Sequence, residues 1–230
     1  MGMQKQSQSA NDSGTIDRLL DAAERLFGQH GYDGVGMRML ASQAGVNLNA
    51  ATYHFGTKEA LYIETFMRRL RPVNAERLRL LREAESKSKS GLMEVEVIVD
   101  CMIRPPYMHG LEHPDFHTLL GRNLVTPPAF LEAALKREME PNIRLFNAAL
   151  TRALPKVPKE LVRLRVLFGM GALPMLSMHL EKMGAPRNLK RDECVLKELI
   201  RFIAAGLQSE PAVPGGKLYA FHIMPRLSRK

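Results

Sequence analysis

Apolar residues recur along this chain at steps of three, four and seven, the spacing that lines up one face of a helix, and no stretch alternates as a half-buried strand would. Thr15 to His30 places Ile16, Leu19, Leu20, Ala23, Leu26 and Phe27 on one stripe and stops at Gly31. A short helix follows with Met37, Leu40, Ala41 and Ala44 on a common face, and a second runs from Leu48 to Phe55. Thr57 can cap a long helix from Lys58 to about Glu85, carrying Leu61, Phe66 and Leu70. After the polar stretch Ser86 to Gly91, helical spacing resumes over Leu92 to Arg104, Phe116 to Val125, Phe130 to Leu154, Glu160 to Met183 and Leu189 to Leu207. Prolines punctuate this half. The pairs at 105–106 and 127–128 are expected to end helices, and Pro141 to kink or split one. The fold class is all-α: a small N-terminal helix-turn-helix domain followed by a larger helical bundle.

The two short helices meet at Ala44-Gly45-Val46, where a tight turn favours the left-handed backbone that Gly adopts cheaply. Asn47 is placed to cap the second of them through its side-chain oxygen. That helix keeps Ala50, Ala51 and Phe55 for packing and turns Asn49, Thr52, Tyr53 and His54 outward, groups that can donate to phosphate or read base edges. Two short helices joined by a Gly turn also occur in proteins that never touch DNA, so the pattern alone leaves both readings open.

The flanking helices turn the pattern into a resemblance. AAERLFGQHGYDGVGMRMLASQAGVNLNAATYHFGTKEALYIETF resembles the DNA-binding domain of the TetR family of transcriptional regulators over about the first third of the chain. The resemblance implies that Arg38 meets phosphate and that Asn47, Leu48, Asn49, Thr52, Tyr53 and His54 form the recognition helix. It also implies that Lys58, at the start of the fourth helix, holds a phosphate. Two positions depart from the family's pattern: Gly36 stands where a capping Ser or Thr is usual, and Thr52 where a Tyr is usual.

Charge adds less than its total suggests. Of the formal +9, residues 1–80 hold only a net +2, ten Lys or Arg against eight Asp or Glu. A general attraction to DNA follows, while specificity must come from local placement. Cys101 and Cys194 are too few and too far apart for a disulfide framework and read as buried thiols. No apolar run reaches the roughly 18 residues of a membrane span, and Met1 to Ser13 lacks a signal-peptide core, so a cytoplasmic protein without membrane contact is expected.

The expected organisation is a flexible arm at 1–13, the DNA-binding domain at 14–57, a helical effector-binding and dimerisation domain at 58–208, and an extension at 209–230. Within 160–207, Gly169, Gly171 and Ala172 allow close helix approach, and Val195, Leu196, Leu199, Ile200, Ile203 and Ala204 form an apolar face. The family resemblance implies that such a pair packs against its copy in a homodimer on a palindromic operator. GVNLNAATYHFGTKEAL together with the later RVLFGMGALPMLSMH further resembles the PsrA-like branch, which implies a fatty acid or acyl-CoA effector. Candidate pocket residues are Met102, Tyr107, Phe116, Phe168 and Met175, with Met108, Leu120, Phe146 and Met170, and Arg104 or Arg122 as the cation for an acyl head. His109, His113 and His117 recur every four residues, but Pro114 breaks the helix that would stack them, so no metal site is assigned. No phosphate loop, nucleophile elbow or Cys-His constellation points to an enzyme, and no cofactor is implied. The expected function is a ligand-responsive repressor that binds double-stranded DNA. The alternative is a helical adaptor that binds protein through the same surface.

Overall fold

The computed structural model describes residues 2–88, 92–125, 127–182 and 188–212, and these contain nine helices and no strand. They are α1 (Gly2–His30), α2 (Met37–Gln43), α3 (Leu48–Phe55), α4 (Lys58–Lys87), α5 (Val95–Glu112), α6 (Pro114–Val125), α7 (Ala129–Ala153), α8 (Lys159–Lys182) and α9 (Leu189–Gln208). The chain divides into two compact units, Met1–Pro72 with Gly110–Glu138 and Val73–His109 with Met139–Lys230. This grouping differs from the expected division after residue 57, because α6 and the start of α7 cluster with the N-terminal helices. The break inside α4 falls at its proline, Pro72.

The first unit is built on α1, which packs against α2, α3 and α6. Its stripe of Leu19, Leu20, Ala23, Leu26 and Phe27 is buried, as the periodicity requires. Gly28 lets α6 come close, since a Cβ there would stand 2.9 Å from the Asp115 carbonyl oxygen. Arg122 of α6 donates from Nε to the Gly28 carbonyl and from Nη2 to the Gln29 carbonyl, covering acceptors that the end of α1 leaves open. Glu24, buried on α1, accepts from Arg69 Nε at 2.8 Å and Arg68 Nη2 at 3.0 Å. The segment expected as a flexible arm is helical from Gly2 onward. It holds no proline, and nothing in it stops the helix.

In the second unit α8 packs on α9, with Gly169 2.9 Å from Ile203 Cγ2 by the same Cβ measure. Asn188 caps α9 by accepting from the Lys190 and Arg191 amides. Leu196, Leu199, Ile200, Ile203, Ala204 and Leu207 form its buried face. Arg165 donates to the Leu207, Ser209 and Glu210 carbonyls and so closes the C-terminal end of that helix.

The stop expected at Pro105-Pro106 is corrected, as is the split that was one of two outcomes expected at Pro141. The helix expected to stop at Arg104 instead runs as α5 through Pro105 and Pro106 to Glu112. Proline has no N–H, so Pro106 cannot donate to the carbonyl four residues back, that of Met102. Arg77 Nε donates to that carbonyl at 2.8 Å, so a side chain stands in for one of the two rungs that the proline pair removes. Likewise α7 continues through Pro141 without splitting, from Ala129 to Ala153. Pro127 and Pro128 do follow the end of α6, as expected. Met183, the expected end of α8, and residues 213–230 of the expected extension lie outside the described residues.

Candidate DNA-binding surface

The turn between α2 and α3 has the form that its residues dictate. Gly45 takes φ +64°, its amide bonds to the Ser42 carbonyl, and the Val46 amide reaches back to the Ala41 carbonyl at 2.9 Å. This paired closure ends α2 in the left-handed manner typical of a C-terminal glycine. Asn47 then accepts from the Ala50 amide at 2.7 Å and starts α3. Beneath the pair, Leu19 and Ala22 of α1 meet Ala41, Ala44 and Ala51, with Met37, Val46 and Phe55 at the margin. The small Ala side chains let α2 and α3 sit close to α1 and fix the orientation of α3. Gly36 precedes α2 in extended backbone and makes no side-chain cap, as its identity requires.

On the outer side of α3, Tyr53 is 83 % exposed and Asn49 and Thr52 are exposed with it. Arg38 on α2 is exposed as well, while Leu48 is half-buried at the start of α3. Between Leu48 and Phe55 there is no Lys or Arg. The exposed groups are therefore an amide, a hydroxyl and a phenol, which can all hydrogen-bond to base edges or phosphate without a fixed charge.

The side chains of His54 and Lys58 are both held by other groups of the protein. The His54 ring is mostly covered, 5.2 Å edge-on from the Tyr53 ring, with Asp12 Oδ1 4.0 Å from its Nε2. Lys58 Nζ donates to the carbonyls of Tyr32 and Val35, both at 3.1 Å, and stands 3.9 Å over the Tyr32 ring. The Tyr32 hydroxyl donates to Glu59 Oε1 at 2.7 Å, and that bond holds the Glu59 carboxyl below its usual range. Burial, with Glu59 adding to it, pushes the Tyr32 phenol upward, so it remains a donor. Tyr32 also stacks among Phe27, Tyr62 and Phe130. Lys58 thus ties the start of α4 to the loop between α1 and α2. The loop residues in this tie, Tyr32 and Val35, lie outside any helical period, and no local signal marked them.

The expected effector residues are divided between the two units. Phe116 packs on Phe66 inside the first unit, ring centres 5.4 Å apart, and Arg122 is spent on the end of α1. Met102 and Tyr107 are buried in the second unit, the Tyr107 hydroxyl without a hydrogen-bond partner. Arg104 is paired twice, with Asp100 and with Glu193, and these carboxylates raise its pKa. Phe168 and Met175 are exposed on α8. The helix break expected at Pro114 is present, and His117 is buried on α6 against Gly110, where a Cβ would strike its ring. The residue that periodicity missed is Arg77, the only fully buried arginine among the described residues, at 4 % exposure.

Fold and surface together define a helix-turn-helix protein of the kind in which a small helical head is joined to a larger helical domain. The N-terminal model of the tetR family of bacterial regulatory proteins matches residues 19–65, and a tetracyclin repressor-like C-terminal domain model matches residues 100–206. The chain belongs to the TetR family, which is one of transcriptional regulators and not of enzymes. Among curated relatives, the HTH-type transcriptional repressor AcnR of Corynebacterium glutamicum is 36 % identical over 91 residues, which is 39 % of this chain and 43 % of that protein. The chain thus spans less than half the length of that relative. Among solved structures, the fatty acid degradation regulator FadR from Bacillus halodurans aligns with TM-score 0.62 at 15 % identity, over 83 % of this chain and 98 % of that one. The TetR family regulator PfmR from Thermus thermophilus aligns with TM-score 0.60 at 19 % identity, over 84 % and 100 %. At such identities the structures share the fold alone. No described helix is long and apolar enough to cross a membrane.

Proposed function

We propose that this protein is a cytoplasmic transcriptional repressor that binds a palindromic DNA operator as a homodimer and lets go when a small apolar effector binds its helical domain. The observation that carries the reading is the outward face of α3, where Asn49, Thr52 and the 83 % exposed Tyr53 stand on a helix fixed by the Asn47 cap and the Gly45 turn. A helix held so firmly, with polar groups free on one side, suits the major groove. Asn49 and Thr52 read sequence, and Arg38 and Tyr53 meet the backbone. Lys58 serves by keeping the start of α4 in place.

A homodimer through residues 160–207 is supported by apolar side chains left exposed on α8 and α9. Phe202 is 72 % exposed, with Phe168 and Met175 similarly placed, more apolar surface than a solvated helix pair needs. A two-fold pair would set two copies of α3 about 34 Å apart, one turn of the duplex. For the effector, the solved structure of the fatty acid degradation regulator FadR from Bacillus halodurans, similar in fold, favours a fatty acid or acyl-CoA. Fluorescence anisotropy with DNA from upstream of the gene tests the core of this reading. Tight, salt-sensitive binding that is lost in Tyr53→Ala supports it, and absence of binding to any genomic fragment rejects it.

A further inference from the structure

Arg77 is a buried cation without a buried anion. It lies on α4 at 4 % exposure, and among the described residues no Asp or Glu pairs with it. Several partly buried arginines are matched by carboxylates: Arg68 and Arg69 with Glu24, Arg104 with Asp100 and Glu193, and Arg191 with Asp192. Desolvation alone pushes the Arg77 guanidinium down to about 10, so it stays charged at neutral pH. A guanidinium kept charged and unpaired in an apolar interior is strongly unfavourable, and proteins normally provide it with a carboxylate.

Its hydrogen bonds account for part of the fork. Nε donates to the Met102 carbonyl that Pro106 leaves open, and Nη1 donates to Asn74 Oδ1 at 3.2 Å. Both acceptors are neutral, and Nη2 has no partner among the described residues. Asn74 in turn donates to Met139 Sδ at 3.6 Å, which brings α7 to the same place. One turn further along α7, Asn142 is buried with its Oδ1 unsatisfied. Helices α4, α5 and α7 therefore meet at Arg77 and Asn74, with the Met139 sulfur beside Asn74 and the buried Met102 on α5, both flexible side chains of a kind that adapts to varied apolar shapes. A neutral donor would have sufficed for the open carbonyl. The geometry points to Arg77 as the anchor for the carboxylate of an apolar organic acid, held by the free edge of the guanidinium with its hydrocarbon body among the methionines. This rests on the proposal that the helical domain takes a small effector, and it moves the cation of that site from Arg104 or Arg122 to Arg77.

Thermal denaturation of the full-length protein with a panel of acids from benzoate to decanoate, each set against the alcohol of the same skeleton, tests the anchor. The expected result is that an acid raises the melting temperature and its alcohol does so at least tenfold less effectively, and that Arg77→Gln loses the response to the acid while keeping operator binding and helical content. If Arg77→Gln does not fold, Arg77→Lys keeps the charge without the fork and is expected to weaken the acid at least tenfold. Equal shifts by acid and alcohol, or an undiminished acid response in Arg77→Gln, overturn the anchor and leave an apolar effector standing. No shift by any acid or alcohol removes both.

Discussion

Lys58 reaches across from α4 to stand 3.9 Å over the ring of Tyr32 and to bond the carbonyls of Tyr32 and Val35. A lysine at the first position of a helix next to a DNA-reading surface invites assignment to phosphate. Here it bonds two loop carbonyls and its charge lies over a ring, so its loss acts first on the order of the head. Lys58→Ala is expected to destabilise the protein by about 1–3 kcal/mol, from two lost hydrogen bonds and one cation–π contact. Chemical denaturation checks this. An unchanged midpoint with weakened DNA binding would return Lys58 to a direct phosphate role.

The turn chemistry of the helix pair gives a second expectation. Gly45→Ala forces a Cβ into φ +64° and should cost about 1–2 kcal/mol, although nothing lies within 4 Å of the new carbon. Asn47→Ala, which removes the α3 cap, should cost about 1 kcal/mol. Gly36→Ser, in extended backbone with open space around it, should gain a few tenths of a kcal/mol. Urea midpoints of the three variants give the order.

Salt dependence separates Arg38 from the uncharged groups of α3. Arg38→Ala should reduce the slope of log affinity against log salt by about 1 for each half-site. Asn49→Ala and Thr52→Ala should leave the slope alone and relax the choice of base, by about 1–3 kcal/mol at the affected position. Anisotropy titrations over several salt concentrations, on operator and scrambled duplex, measure both.

Assembly depends on α8 and α9. Phe202→Glu places a charge on the exposed apolar face and should give a folded monomer that no longer binds operator. Gly169→Val is expected to act differently, since even a Cβ there would press on Ile203 within the same chain and separate the helices. Sedimentation velocity and calorimetry together distinguish the two outcomes.

His117 makes the head sensitive to acid. Burial holds its imidazole below the usual value near 6.5, and neither ring nitrogen has a partner among the described residues. The unfolded chain therefore binds a proton more readily than the folded one. Stability is full above about pH 6.5 and falls as pH drops from there through the lowered folded value. His113, held down by burial and by Arg69, adds to the same trend. His117→Leu should reduce the loss between about pH 7.5 and 5, and an identical loss in both proteins would exclude His117 as a cause.

What the residue pattern made legible was local. The Gly45 turn, the Asn47 cap and the Thr57 bond to the Ala60 amide each depend on residues within a few positions, and all three are found. The Pro105-Pro106 stop failed because the remedy is remote: Arg77, on a different helix, supplies the donor. The apolar residues named for a pocket fall in both units. Periodicity tells that Phe116 and Met102 face inward, but not that they face into different units. In the head, the outward face of α3 was readable, whereas the inward turn of Lys58 depends on a loop 26 residues away.

The absence of Lys and Arg from α3 bears on how such a protein would find its target in a cell. Random duplex holds proteins almost wholly through phosphate charge, so a reading helix made of amide, hydroxyl and phenol gives the bulk of the genome little to retain. Each wrong site is left quickly, few copies are sequestered along the chromosome, and a small pool of dimers would keep one operator occupied.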